Sequence, residues 1–157
     1  MTPAQIDRLY NSLRQAETGS ESDPWIRTRS QPKGGSTAYG PVQITGNLVR
    51  GHLAPGNVER FSPEEQTFLQ RMDAQAKQFA KWGGTKKNPT YEYGGKGDLI
   101  QSDADKTMYD TVAKKMIGYE LEKSKGDPLA AAERWRGVPR QRDPGYFHKV
   151  MAHYNAP

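Results

Sequence analysis

Glu17 is the residue of this chain whose type and position best suit acid–base chemistry. It ends an amphipathic helical pattern, directly before Thr18 and Gly19, so its carboxyl group is held by a rigid element and still faces a loop. Cleavage of a glycosidic bond needs a protonated acid at the leaving oxygen, and burial can raise the pKa of a glutamate enough to provide one. From the helical pattern alone, an ordinary exposed glutamate at a helix end is the simpler interpretation.

A second group of functional side chains follows in the segment 36–44, which reads Ser-Thr-Ala-Tyr-Gly-Pro-Val-Gln-Ile. This segment brings small residues, the ring of Tyr39, the amide of Gln43 and the apolar side chain of Ile44 close together in sequence. Such residues can anchor a loop and contact a polar ligand. The segment by itself does not identify that ligand.

Other kinds of site have little support in the sequence. The absence of cysteine excludes disulfides, thiolate metal sites and cysteine nucleophiles. No Gly-x-Ser-x-Gly elbow is present for a serine nucleophile. His52, His148 and His153 lack metal-site spacing and are expected on the surface, and the glycine-rich loop at 94–97 lacks the Gly-Lys-Ser/Thr of a phosphate-binding loop. We therefore expect neither a metal nor a cofactor.

The elements that must position these residues are mostly helical. Apolar residues recur at helical spacing, and starts such as Ser62-Pro63 and Asp127-Pro128 combine a capping side chain with proline in the first turn. Two polar, glycine-rich stretches interrupt the pattern at about 18–60 and 84–101, the first with a short strand or helical turn at 41–49. We predict a mainly α single domain over 1–157, with helices over about 3–17, 62–83, 102–125, 129–135 and from 143 onward.

The bulk composition describes a polar, basic, folded domain. The chain has 157 residues, of which 34% are hydrophobic, and a net charge of +5. That charge favours a polyanionic partner, although general solubility explains it equally well. No apolar run reaches the ~20 residues that span a bilayer, and the N-terminal stretch does not resemble a signal peptide. We expect no membrane insertion.

Several phrases of the sequence resemble the lytic transglycosylases with a lysozyme-like fold, and phage-borne members most closely. The resembling phrases are Ala16-Glu17-Thr18-Gly19 for the family's Glu-Ser-Gly, Gly40-Pro41-Val42-Gln43-Ile44 for its Gly-Leu-Met-Gln-Ile, the segment 131–137 for its Ala-Tyr-Asn-Ala-Gly, and the segment 146–150 for its Tyr-x-x-Lys-Val. In this order they frame most of the chain. The resemblance implies a lysozyme-like domain of about five or more helices, in which the two polar loops form a cleft.

The resemblance also implies a reaction and a site. Glu17 would be the single acid/base that breaks the bond between N-acetylmuramic acid and N-acetylglucosamine, giving a 1,6-anhydro product. Gln43 would brace the glutamate or bind substrate, and Ser36 would lie near the catalytic carboxyl. The further substrate-binding candidates are Tyr39, Tyr93, which could equally pack within its loop, and Trp135. The partner would be bacterial peptidoglycan, met by a monomer or a phage-particle component after holin release or virion delivery.

The departures from the family pattern keep alternatives open. Thr18 replaces serine, and the segment 135–137 lacks the family's tyrosine–asparagine pair, which weakens Trp135 and Tyr154 as candidates. Asp98 is the best-placed second carboxylate, and if it acts, the enzyme is a hydrolysing muramidase. A wall-binding or virion structural protein without activity is a further alternative. A nucleic-acid-binding helical domain is disfavoured, because no helix shows a dense basic face.

Overall fold

The described residues of the computed structural model are 2–19, 24–25, 28–29, 37–80, 100 and 102–157. They form six α-helices, three very short strands and one 3₁₀ turn, so the prediction of a mainly α chain is confirmed. In order, the elements are α1 (Pro3–Thr18), β1 (Thr28–Arg29), β2 (Thr37–Tyr39), β3 (Ile44–Thr45), α2 (Gly46–Leu53), the 3₁₀ turn (Val58–Arg60), α3 (Pro63–Ala80), α4 (Asp103–Lys123), α5 (Pro128–Arg136) and α6 (Pro144–Tyr154).

Reciprocal caps explain where several of these helices begin. Before α3, the Ser62 hydroxyl accepts from the Glu65 backbone N–H at 3.2 Å, and the Glu65 carboxylate accepts from the Ser62 N–H at 2.7 Å. Ser102 and Asp105 make the same pair of bonds at the start of α4. Each box satisfies backbone donors that the first helical turn otherwise leaves without a partner. The starts predicted from these residues are confirmed.

The chain divides into two compact units. The first comprises Met1–Ser22 and Ala113–Pro157, and the second comprises Asp23–Val112. The helix α4 contributes its first ten residues to the second unit and the remainder to the first. The single domain over 1–157 stays a prediction.

In the first unit, α1 packs along α6, and α5 packs against α6. Apolar side chains spaced three or four apart on each helix face inward, as their amphipathic patterns predict. An ion pair of 3.1 Å between Asp7 and Lys114 adds a polar contact between α1 and α4. The buried residues include Leu9, Leu13, Met116, Ile117, Leu121, Ala132, Trp135, Phe147 and Val150.

In the second unit, a small antiparallel sheet adjoins α2 and α3. The strand order is β1-β2-β3, with Ala38 paired to Thr28 on one side and to Thr45 on the other. Thr45 ends the sheet and caps α2, because its hydroxyl accepts from the Leu48 N–H at 3.3 Å. The predicted strand or helical turn at 41–49 is thus a strand followed by a helix that continues to Leu53.

The expectation that all three histidines lie on the surface is wrong for His52. Its side chain is buried on the inner face of α2, where it meets the Phe61 ring edge-on with centroids 6.0 Å apart. The physical reason is that α2 is a real helix, which turns Val49 and His52 towards the same buried side. His148 and His153 are exposed, as expected.

None of the described helices combines the length and the apolar character that a bilayer crossing requires.

Candidate active site

Glu17 lies in the last turn of α1, where the helix ends at Thr18. The backbone there is well held, because Gly19 N–H donates to the Gln15 carbonyl at 3.2 Å. Thr18 is buried, and its hydroxyl donates to the Arg14 carbonyl at 3.3 Å. Glu17 itself is half-buried. The helix end therefore presents a partly desolvated carboxyl group on a rigid support.

The pKa of the Glu17 carboxyl is raised above its ordinary value of 4.5. Burial is the largest cause, since it disfavours the charged form. The Tyr146 hydroxyl and the Arg136 guanidinium lower the pKa, and the Asp143 carboxylate raises it. Burial and the second carboxylate outweigh the two groups that stabilise the anion, so the acid form of Glu17 persists to a higher pH.

Tyr146 is one of the polar groups that act on this carboxyl. Burial raises the pKa of Tyr146 far above its usual range, and the neighbouring Glu17 raises it further, so the phenol keeps its proton. Its hydroxyl oxygen is buried, and within the described part of the chain it completes no hydrogen bond of good geometry. The phenol O–H therefore lies beside Glu17 as a donor whose contact can still tighten.

Arg136 and Asp143 form an ion pair next to Tyr146. Arg136, in the last turn of α5, donates from Nη2 to Asp143 Oδ2 at 3.1 Å. The Arg136 guanidinium carbon also lies 4.8 Å from the centre of the Tyr146 ring, which is a cation–π contact. The Tyr146 ring also meets Phe147 edge-on, with centroids 5.1 Å apart. These contacts fix the plane of the phenol.

The loop that joins α5 to α6 is clamped by a second arginine. Gly137 ends α5 in the left-handed region, with φ of 77°. Arg140 then donates to the Glu133 carboxylate through its backbone N–H at 3.1 Å and through its guanidinium. The Arg140 hydrogen bonds lower the pKa of Glu133. This clamp holds the short loop between Arg136, at the end of α5, and Asp143, just before α6.

A separate set of contacts shapes the segment 37–44 in the second unit. The buried Tyr109 donates its hydroxyl to the Tyr39 carbonyl at 2.6 Å and accepts from the Val42 N–H at 3.3 Å. Gly40 has φ of 69°, and a side-chain carbon there would come within 2.5 Å of the Tyr109 ring. The glycine is therefore needed for both its backbone conformation and its lack of a side chain.

Gln43 closes this turn in an unusual conformation. Its φ is 54°, in the left-handed region that residues other than glycine rarely adopt. Its backbone N–H and its side-chain Nε2 both donate to the Gly40 carbonyl at 3.0 Å. The half-buried amide is thus fixed by its own turn. Such strain persists only where the surroundings impose it, and it is concentrated at functional sites.

The predicted site residues have different places in the structure. Tyr39 and Gln43 share one turn of the second unit, whereas Trp135 and Glu17 belong to the first unit. Tyr39 and Trp135 are 2% and 4% exposed, so their rings belong to the cores of their units. Their role in substrate binding stays a prediction. Three further candidates, Ser36, Tyr93 and Asp98, lie outside the described residues.

The partners of Glu17 are residues that the sequence analysis did not assign to the site. Tyr146 belongs to one of the phrases that carry the family resemblance, and that phrase was the available signal. Asp143 stands at the N-cap position of α6, directly before Pro144, yet its carboxylate makes no capping bond. Arg136 carries no local signal, because its role depends on the meeting of α5 with α6.

Within the described residues, no group of three or more histidine or acidic side chains is arranged to hold a metal ion. Comparison of the chain with protein-family models, with curated proteins and with solved structures gives no match.

Proposed function

We propose that this chain is a peptidoglycan-cleaving enzyme of bacteriophage type, with a lysozyme-like fold and cleft. It breaks the β-1,4 bond between N-acetylmuramic acid and N-acetylglucosamine as a lytic transglycosylase. The observation that carries the proposal is the half-buried Glu17 carboxyl, whose pKa is raised by burial at the helix end where the sequence resembles the family's acid motif. A carboxyl group with a raised pKa keeps its proton to a higher pH, so it can donate that proton to a leaving oxygen, and its anion can take one back.

In the first step, Glu17 donates its proton to the glycosidic oxygen as the bond to C1 of N-acetylmuramic acid breaks. Positive charge develops on that ring, and the sugar on the other side leaves with a hydroxyl group. In the second step, the Glu17 carboxylate takes the proton from the C6 hydroxyl of the same ring while its oxygen bonds to C1. The product is the 1,6-anhydro sugar, and the enzyme regains its acid.

The neighbours of Glu17 fit both steps. Tyr146 and Arg136 stabilise the carboxylate that exists between the two proton transfers. Hydrogen bonds in active sites are often long before substrate binds and tighten afterwards, which suits the loose Tyr146 contact. The net charge of +5 adds attraction to the carboxylates of wall peptides and to acidic wall polymers. We place the enzyme at the host wall, delivered by holin release or by the virion, as a monomer or a particle component.

One observation favours a hydrolysing muramidase as the second candidate. The Asp143 carboxylate lies close enough to Glu17 to raise its pKa, and a second carboxylate is what an attacking water requires. Its pairing with Arg136 at 3.1 Å argues for the transglycosylase, because a paired carboxylate is a weaker base. Asp98 remains the other proposed second carboxylate.

The test is mass spectrometry of purified peptidoglycan after digestion, without chemical reduction. Disaccharide-peptides one water lighter, ending in 1,6-anhydro-N-acetylmuramic acid, are expected. Reducing ends would favour the muramidase instead. No release of fragments by a folded preparation would contradict both, and would favour an inactive wall-binding or virion protein. Glu122→Gln is the matched control, because Glu122 is exposed on α4.

A further inference from the structure

The Arg136–Asp143 ion pair lies beside the proposed acid without being part of it. It connects the last turn of α5 to the residue just before α6, with 3.1 Å between Nη2 and Oδ2. Arg136 also covers one face of the Tyr146 ring at 4.8 Å. Its two charges and the phenol all act on the Glu17 carboxyl. The pair therefore combines a steric contact with an electrostatic one.

The position of Asp143 indicates that this arrangement replaces an ordinary one. An aspartate directly before a proline-led helix usually accepts backbone N–H groups of the first turn. Asp143 occupies that place but makes no capping bond, and it turns to Arg136 instead. By contrast, Asp127 before α5 does cap, accepting from Leu129 N–H at 3.0 Å. The start of α6 thus gives up a cap while the pair beside Tyr146 forms.

The charges acting on Glu17 come from two elements besides its own helix. Asp143 and Tyr146 belong to the start of α6, and Arg136 belongs to the end of α5. Arg136 favours the carboxylate and Asp143 disfavours it. Because the two opposite charges are 3.1 Å apart, each offsets part of the effect of the other on the pKa of Glu17. Removing either charge therefore leaves the effect of the other on the pKa of Glu17 without opposition.

We propose that the Arg136–Asp143 pair is a positioning element for the acid, which holds Tyr146 against Glu17 and balances the charge beside its carboxyl. This inference rests on the proposed function, since it assigns the pair to the same site. Neither residue needs to touch the substrate. A single acid/base must both give and take a proton in one turnover, and balanced neighbouring charge leaves both directions accessible.

The test compares Arg136→Met, Asp143→Asn and the double variant at low ionic strength, because both side chains are about two-fifths exposed and salt would screen them. The readout is the titration of the Glu17 carboxyl followed by carbon-13 NMR, with its signal identified by its loss in Glu17→Gln. Arg136→Met is expected to raise the pKa of Glu17 by about half a pH unit or more, and Asp143→Asn to lower it by a similar amount. In the double variant, the pKa of Glu17 is expected to return towards its wild-type value.

These outcomes separate the proposal from a purely structural role. If only packing were lost, the pKa of Glu17 would shift in the same direction in both single variants or would not shift in either. That result would overturn the proposal. If Arg136→Met fails to fold, Asp143→Asn alone carries the test, and an unchanged titration would contradict it. Arg136→Lys keeps the charge but loses the flat contact with Tyr146. It is expected to lower kcat several-fold with KM unchanged, and full activity would remove the steric part of the proposal.

The titration does not depend on activity, so failure of the proposed function can be recognised separately. If the pKa of Glu17 shifts in opposite directions in the two single variants but no wall fragments are released, the charge balance around Glu17 stands and the proposed enzymatic function is refuted. If anhydro fragments are released but the two single variants do not shift the pKa of Glu17 in opposite directions, the proposed enzymatic function stands and the positioning role of the Arg136–Asp143 pair is refuted.

Discussion

The Tyr109 hydroxyl donates to the Tyr39 carbonyl at 2.6 Å, joining α4 to a strand 70 residues earlier in the sequence. The same hydroxyl accepts from the Val42 N–H at 3.3 Å, so one buried oxygen supports both sides of the turn at 40–43. Tyr109→Phe removes both bonds while keeping the ring. We expect the free energy of unfolding to fall by about 1–3 kcal/mol, measured by urea denaturation. Tyr154→Phe, which alters a partly exposed ring, is the control and should change little.

Gly40 and Gly56 allow backbone strain to be separated from steric conflict. Both have positive φ, at 69° and 89°, but only a side chain at Gly40 would collide with Tyr109. Gly40→Ala is expected to lower the free energy of unfolding by about 2–4 kcal/mol, and Gly56→Ala by about 1 kcal/mol. Equal losses in the two variants would contradict the close approach of Tyr109. Thermal unfolding of both variants in parallel measures the two losses in stability.

The left-handed backbone of Gln43 predicts a difference between two small replacements. Gln43→Ala and Gln43→Gly both lose the side-chain bond to the Gly40 carbonyl, but only alanine retains the steric cost at φ of 54°. The glycine variant should therefore be more stable than the alanine variant by about 1 kcal/mol. If the amide serves the reaction, both variants lose about 10- to 100-fold in wall lysis, regardless of their stability. Lysis that follows stability would remove Gln43 from the site.

Glu17→Gln tests the acid directly. An amide has the size of the carboxyl group but cannot donate its proton in the same way, so wall lysis should fall by about 100- to 10,000-fold. Turbidity loss of wall suspensions measures the rate, and circular dichroism checks that the helices persist. The Glu122→Gln control should keep full activity. Undiminished lysis by a folded Glu17→Gln protein would contradict the catalytic assignment.

The raised pKa of Glu17 also predicts how stability depends on pH. Below its ordinary value of 4.5, the carboxyl is protonated in both folded and unfolded chains, and its burial costs least. As the pH rises above 4.5, the unfolded chain loses the proton first, so the folded state becomes less stable until its own carboxyl ionises. Relative to wild type, Glu17→Gln should therefore gain stability as the pH rises above 4.5 towards the raised pKa of the folded chain. Denaturant titrations at several pH values measure this, and a constant difference would contradict burial of the carboxyl.

Helix boundaries were accessible from sequence because they depend on neighbouring residues. Ser62 with Glu65 and Asp127 with Pro128 fix the starts of α3 and α5 through local bonds, and the structure confirms both. The small sheet was not accessible in this way. Its outer strands have only two residues each, which is too short for a periodic pattern. The burial of His52 was missed for the related reason that α2 lies in a stretch read as irregular.

Within the candidate site, too, the residues with a local sequence signal could be predicted and those that depend on tertiary contacts could not. Glu17 could be selected from sequence, because a helix end, a glycine and a known phrase coincide there. Its neighbours could not, since Arg136 and Asp143 acquire their roles only when the ends of α5 and α6 meet. Asp143 occupies the capping position before Pro144, yet its carboxylate pairs with Arg136 of the preceding helix instead. Competition between local and tertiary bonds of this kind is what sequence patterns cannot resolve.

The first unit is discontinuous: Glu17 belongs to its opening stretch, whereas Arg136, Asp143 and Tyr146, which act on its carboxyl, belong to the stretch that begins at Ala113. During synthesis on a ribosome, Glu17 emerges well before Arg136, Asp143 and Tyr146. Until then the glutamate is solvated and has the acidity of any surface carboxyl, because burial is what alters it. The nascent chain thus carries Glu17 with an ordinary pKa, and the pKa rises only when α6 packs on α1.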